Sequence, residues 1–165
     1  MNIFITAGTL DYLKRIEKKY PSETMVTMAN VSGALLLHET NGITVFKEPR
    51  KYEVFDSAGD FKRNGYVVMN NFPVTDEGRP LFEQEFKNRA KILSNEPGFI
   101  AIRSLRPLST NTYVTLTIWE TVMDYQNSKN LNSFSKTINK KEIGIDHQPK
   151  IFSSESYVSQ YTIID

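Results

Sequence analysis

NGYVVMNNFPVTDEGRPLFEQEFKNRAKILSNEPGFIAIRSLRPLSTNTYVTLTIW, residues 64–119, is the stretch whose reading decides the fold. It opens on an apolar run, residues 66–70, with the length and composition of a buried strand. Thr75 or Asp76 can cap a helix after it. On that helix Phe82, Phe86, Ala90 and Leu93 recur at spacings of four, four and three, which puts them on one face. Asn95-Glu96-Pro97-Gly98 stops the helix, because proline cannot continue it and glycine accepts the backbone angles of the exit. Residues 99–105 read as a strand, 109–111 as a turn and 113–119 as a second strand. In that strand Val114, Leu116 and Ile118 face one side, and Tyr113, Thr115, Thr117 and Trp119 the other.

Working outward, two short helical pieces follow, near 122–127 and 131–140, the latter with Leu131, Phe134 and Ile138 on one face. Residues 157–164 supply a last strand. The second half is therefore βαββαβ, a ferredoxin-like arrangement. In the first half, residues 2–6 read as a strand and Thr9 caps a helix with the stripe Leu10, Leu13 and Ile16. Residues 25–29 and 34–39 read as strands. Asn41-Gly42 is a hairpin signal, which predicts a partner strand over 43–46. Residues 52–57 read as a short helix or an irregular link. The first half is thus βαββ, and 59–65 is the expected boundary, giving an N-terminal α+β portion over 1–60 and a ferredoxin-like domain over 61–165. Two such half-sheets facing each other would form one pseudo-dimeric α+β barrel within a single chain.

Composition excludes several function classes. Twenty basic and 19 acidic residues in 165 leave a formal net charge of +1, so no electrostatic footprint for nucleic acid is visible. There is no cysteine, which removes disulfides, zinc-thiolate sites, iron–sulfur clusters and thiol nucleophiles. With two histidines, His38 and His147, a multi-histidine metal site is not available, and no metal is expected. The N-terminus carries no leader pattern and no apolar run is long enough to cross a bilayer, so a cytoplasmic protein without membrane attachment is expected. No glycine-rich phosphate loop and no paired-carboxylate geometry is present.

The run NNFPVTDEGRPLFEQEFKNRA, the EPGF turn, IRSLRPL and YVTLTIWET resemble the antibiotic-biosynthesis-monooxygenase (ABM) family, and within it the heme-degrading branch of the HmoB and IsdG types. FITAGTLDYLKR, HETNG, TVF and YEV in the first half resemble HmoB-type enzymes and the TRAP signal transduction proteins. The resemblance implies an ABM domain with an added N-terminal portion that replaces the usual dimer partner, hence a monomer. It also implies oxidative heme cleavage with iron release, heme being both substrate and cofactor, or else a non-catalytic TRAP-like role in signalling or in binding another hydrophobic small molecule.

The heme-degrading branch uses an asparagine on the first ABM strand, a tryptophan that presses on the porphyrin, and a histidine that ligates the iron. Asn70, in VMNNF, matches the asparagine. Counted without gaps from Trp119, the tryptophan position falls on Ser128 and the histidine position on Ile138. An isoleucine has no lone pair for iron and a serine has no flat face. Residues 126–145 contain neither tryptophan nor histidine in any register. Ser128 and Ile138 thus mark heme-site positions without being ligands, and activity is expected to be weak or absent. Of the remaining candidates, His147 could reach iron from a loop or be solvated, and His38 reads as a partly exposed strand histidine. Trp119 lines a pocket or packs in the core. Arg103 and Arg106 either pair with an anionic ligand such as a propionate or lie on the surface.

Overall fold

In a computed structural model the protein is described over residues 1–128 and 151–165. Eight strands and four helices are described: β1 Asn2–Gly8, α1 Leu10–Lys19, β2 Thr24–Asn30, β3 Gly33–Thr40, β4 Arg50–Ala58, β5 Tyr66–Pro73, α2 Arg79–Phe86, α3 Arg89–Leu93, β6 Phe99–Pro107, β7 Thr112–Trp119, α4 Val122–Asn127 and β8 Tyr157–Ile163. The strands close into one antiparallel barrel in the order β1-β3-β2-β8-β5-β7-β6-β4. That order is a twofold repeat. β1-β3-β2 in the first half corresponds to β5-β7-β6 in the second, and each half's last strand crosses to the other half, so that β4 pairs with β6 and β8 with β2.

Period-two alternation builds the interior. Ile3, Ile5, Leu37, Val67, Met69 and Leu116 point inward and form one continuous core. Full burial of each such aliphatic side chain contributes roughly 1.5–3 kcal/mol. Across this core Arg103 of β6 meets Glu39 of β3, with Nε donating at 2.5 Å and Nη2 at 3.3 Å; both side chains are nearly buried. Phe61 closes that end, its ring 4.7 Å from the Arg103 guanidinium. This arginine is neither a surface residue nor free for a ligand, because the pairing that tolerates its burial consumes it.

The helices lie on the outside. Thr9 accepts from the Tyr12 amide at 3.3 Å, as its sequence position predicts, and α1 buries Leu13. Thr75 does not cap α2 directly. Its hydroxyl accepts from Gly78 at 2.9 Å, one turn early, and the helix starts at Arg79 with a proline in its first turn. The single helix expected over Phe82 to Leu93 is two. It breaks at Lys87–Asn88, where Asn88 has φ 70°, a left-handed conformation that asparagine tolerates better than most residues. At Gly98, φ is 76° and an added Cβ would lie 2.2 Å from the Asp124 carboxyl carbon, so the Pro97-Gly98 turn requires glycine twice over.

Two expectations for the first half are overturned. Residues 43–46 form no strand. Thr40 Oγ1 takes the Gly42 amide, and the segment crosses the outer face so that Phe46 is buried there. Residues 52–57 lie within β4, whose alternation is masked by a bulge between Val54 and Asp56.

Candidate functional site

The outer face of the second half carries a row of polar side chains set by strand register. Asn70 of β5 stands opposite Thr115 of β7, Thr115 opposite Ser104 of β6, and Ser104 opposite Asp56 of β4. Val158 of β8 extends the row past Asn70 and is exposed. Thr115 and Ser104 are buried, whereas Asn70 is half-buried. One flank is aromatic. Phe72, Phe82, Phe86 and Tyr113 pack there, with Phe82 and Phe86 stacked at 4.3 Å and 16°. The other flank holds Val68, Ala90, Leu93, Ile102 and Trp119.

The break between α2 and α3 serves this row. Asp56 Oδ2 accepts from the Ala90 amide at 2.9 Å, satisfying a donor in the first turn of α3 that has no partner within the helix. Ser104 Oγ has no partner among the described residues although it is fully buried. An unmade hydrogen bond of this kind costs about 1–3 kcal/mol.

A charged cluster pins α2 beside the row. Arg106 of β6 donates from Nε to both oxygens of Glu83 at 3.0 Å, and its remaining nitrogens reach Glu83 and Glu53. The Tyr113 hydroxyl donates to Glu83. The hydrogen bond from Arg106 holds the Glu83 carboxyl below the usual range despite burial acting the other way. Burial, and then the hydrogen bond to Glu83, pushes the Tyr113 hydroxyl up to about 12. Glu83 is therefore tied to β6 and β7, and Arg106 is spent on two carboxylates rather than lying free on the surface.

The adjacent asparagines of VMNNF divide their roles by strand alternation. Asn71 turns into the barrel, where its Nδ2 donates to the Met69 and Tyr157 carbonyls at 3.0 and 3.2 Å. Asn70 turns outward onto the row. Trp119 is fully buried on the same face, its Nε1 donating to Thr117 Oγ1 at 3.0 Å and its ring edge-on to Phe99; it packs in the core rather than lining an open pocket. Ser128 ends α4, is buried, and its Oγ finds no partner among the described residues. Ile138 and His147 lie outside the described residues.

His38 is not partly exposed. It is fully buried on the outer face of the first half among Phe4 and Phe46, with Nδ1 3.0 Å from Thr44 Oγ1 and Nε2 3.6 Å from Glu23. Thr115, Ser104 and Asp56 escaped the sequence reading. The alternation of residues 113–119 placed Thr115 on the correct face, but the β4 bulge hid Asp56.

The outer face offers a heme apolar flanks and one amide, that of Asn70. Among the described residues it offers no imidazole, because His38 is enclosed on the other half's face. Among the described residues no group of three or more metal-binding side chains is assembled. The donor set of the described residues does not fit a histidine-ligated heme. Among the described residues, no helix is long and apolar enough to cross a membrane.

Residues 65–140 match the antibiotic biosynthesis monooxygenase family. A heme-degrading monooxygenase of Listeria monocytogenes is 27% identical over 152 residues, covering 88% of this chain and 90% of that protein. A signal transduction protein TRAP of Staphylococcus epidermidis is 26% identical over 113 residues, covering 68% of each chain. The solved structure of a major regulator of staphylococcal pathogenesis superposes with a TM-score of 0.80 at 22% identity, covering 99% of this chain and 98% of its own, and shows the same fold.

Proposed function

We propose that this chain, which carries an antibiotic-biosynthesis-monooxygenase domain over residues 65–140, engages heme on the outer face of that domain, with oxidative cleavage weak or absent. The observation that carries this reading is the polar row. Asn70 is its half-buried member, whereas the adjacent Asn71 is turned into the barrel with its Nδ2 committed there, so the amide offered to a ligand is that of Asn70. The likeness to a heme-degrading monooxygenase supports the choice of ligand.

Heme, when bound, supplies the oxygen chemistry as substrate and cofactor together. The chain's own part is position. The aromatic flank excludes water, and the Asn70 amide orients what lies over it. Ile138 and Ser128, at the family's histidine and tryptophan positions, provide neither iron ligation nor a pressing ring. The first 60 residues act as the built-in partner of the domain, so the protein works as a monomer.

Titration with hemin tests the reading. A saturable Soret change that Asn70→Ala shifts or weakens is expected, followed by slow or no decay on adding ascorbate in air. No specific Soret band would overturn it. Replacing Ser128 with Trp and Ile138 with His together is expected to strengthen the band and speed the decay.

A second reading has its own support. The likeness to TRAP, with both motif positions lost, favours a non-catalytic signalling or ligand-binding protein. Hemin binding with no decay in either the wild type or the double variant selects it.

A further inference from the structure

The barrel's two crossover seams differ in how their strands are joined. β4 and β6 pair along Tyr52 to Ala58, whereas β2 and β8 pair only at Met28–Ile163 and Ala29–Thr162. One step further in that register, Thr27 stands opposite Ile164. A hydrogen-bonded antiparallel pair exchanges two bonds, each amide donating to the other residue's carbonyl. Here one of the two is made: the Ile164 amide donates to the Thr27 carbonyl at 2.9 Å.

The place of the reciprocal bond is taken by two side chains of α1. The Thr27 amide donates to Glu17 Oε1 at 3.1 Å, and the Thr27 hydroxyl donates to the same oxygen at 3.2 Å. Glu17 Oε2 accepts from the Lys14 ammonium at 2.5 Å, and Lys14 also donates to the Ile164 carbonyl at 3.0 Å. The donor and the acceptor of one backbone bond are thus linked through an ion pair. Beyond this rung the strands part around a cleft of about 450 Å³ that Lys14 and Glu17 help to line.

Bonds to charged partners are roughly twice as strong as neutral ones, which lets the pair displace a plain amide–carbonyl bond. Thr27 is fully buried, so its amide cannot turn to water if the pair leaves. The complementary group in register is the Ile164 carbonyl, which loses its Lys14 donor in the same event.

We propose that Lys14 and Glu17 form a removable wedge in the β2–β8 seam. In place, they stand in for one ladder bond and hold the strand ends apart; withdrawn, they let Thr27 and Ile164 bond directly. The seam therefore has two hydrogen-bonded settings, and the charges on Lys14 and Glu17 select between them. The wedge lies between the halves and stands independently of any ligand on the second-half face.

Scalar couplings across hydrogen bonds, measured by NMR on the full chain, test the wedge, because each coupling reports one donor with its acceptor. In the unaltered protein a coupling from the Ile164 nitrogen to the Thr27 carbonyl carbon is expected, with none from the Thr27 nitrogen to the Ile164 carbonyl carbon. In K14A/E17A both are expected. The Thr27 amide should then exchange with solvent within about threefold of its original rate, having changed partner rather than lost one. A Thr27-to-Ile164 coupling in the unaltered protein would overturn the proposal without any variant. So would a folded K14A/E17A in which that coupling is missing, the result expected of a staple rather than a wedge. Failure of K14A/E17A to fold would overturn it as well, since withdrawing a wedge leaves the barrel closed.

Discussion

The two outer faces of the barrel arise from the same strand order and have been put to opposite uses. Across the first-half face the register aligns Thr6, Leu36 and Thr27 under an unbroken α1. Leu13, Phe4 and Phe46 fill it; its buried Thr27 is answered by Glu17, and its buried His38 by Thr44 at Nδ1, with Nε2 left 3.6 Å from Glu23. Across the second-half face the row is Asn70, Thr115, Ser104 and Asp56 under a broken helix, with the Ser104 hydroxyl unanswered among the described residues. One half has spent its face on cohesion. The other keeps polar groups where apolar ones would hold the fold better, and that is where a function is to be sought.

The largest test removes what joins the halves. Arg103→Ala leaves Glu39 uncompensated inside the barrel and is expected to cost about 3–5 kcal/mol in denaturant unfolding. If the two faces depend on a common interior, hemin binding weakens with it. Leu13→Ala acts on the first face alone and should cost about 2–5 kcal/mol while leaving the hemin titration unchanged; a changed titration would show that the faces are not separable. Ser104→Ala is expected to act in the opposite direction, raising stability by about 1 kcal/mol in the same assay, because it deletes an unmet hydroxyl. A loss of stability there would mean that Ser104 has a partner in solution and that the contrast between the faces is smaller than drawn.

The smallest effect is on pH. The Glu83 carboxyl is held below its ordinary value in the folded protein, so the stability it contributes is present above about 4.5 and is lost as pH falls through the folded value. Wild-type stability should therefore fall more steeply below pH 4.5 than that of Glu83→Gln, measured by denaturant melts across the acid range.

Much of this was legible from the residue order. The Phe82–Phe86 spacing, the Pro97-Gly98 turn and the alternation of 113–119 rest on local periodicity, and local periodicity survives folding; its continuation to Ala90 and Leu93 did not, because Asn88 breaks the helix and sets them on the other flank. The register that aligns Asn70 with Asp56 is not local, because it pairs residues far apart in the chain through a bulge. The hairpin signal at Asn41-Gly42 failed for a related reason. Burial of Phe46 against His38 outcompeted the strand pairing that the turn residues favour. The roles of Arg103 and Arg106 were hidden because charge says nothing of its partner, and their partners lie on β3, β4 and α2.

The crossed strands have a consequence for how the protein is made. β4 completes the sheet of the second half, and β8 that of the first, so neither half owns all its strands. As the chain emerges N-terminus first, α1 and β1 to β3 can collapse early, yet the free edge of β2 waits for residues 162–163. That edge is exposed for most of synthesis, and closure depends on contacts of high sequence separation, which slow folding and invite pairing with other chains. A truncation after residue 128 should accumulate as aggregate rather than as a smaller soluble domain.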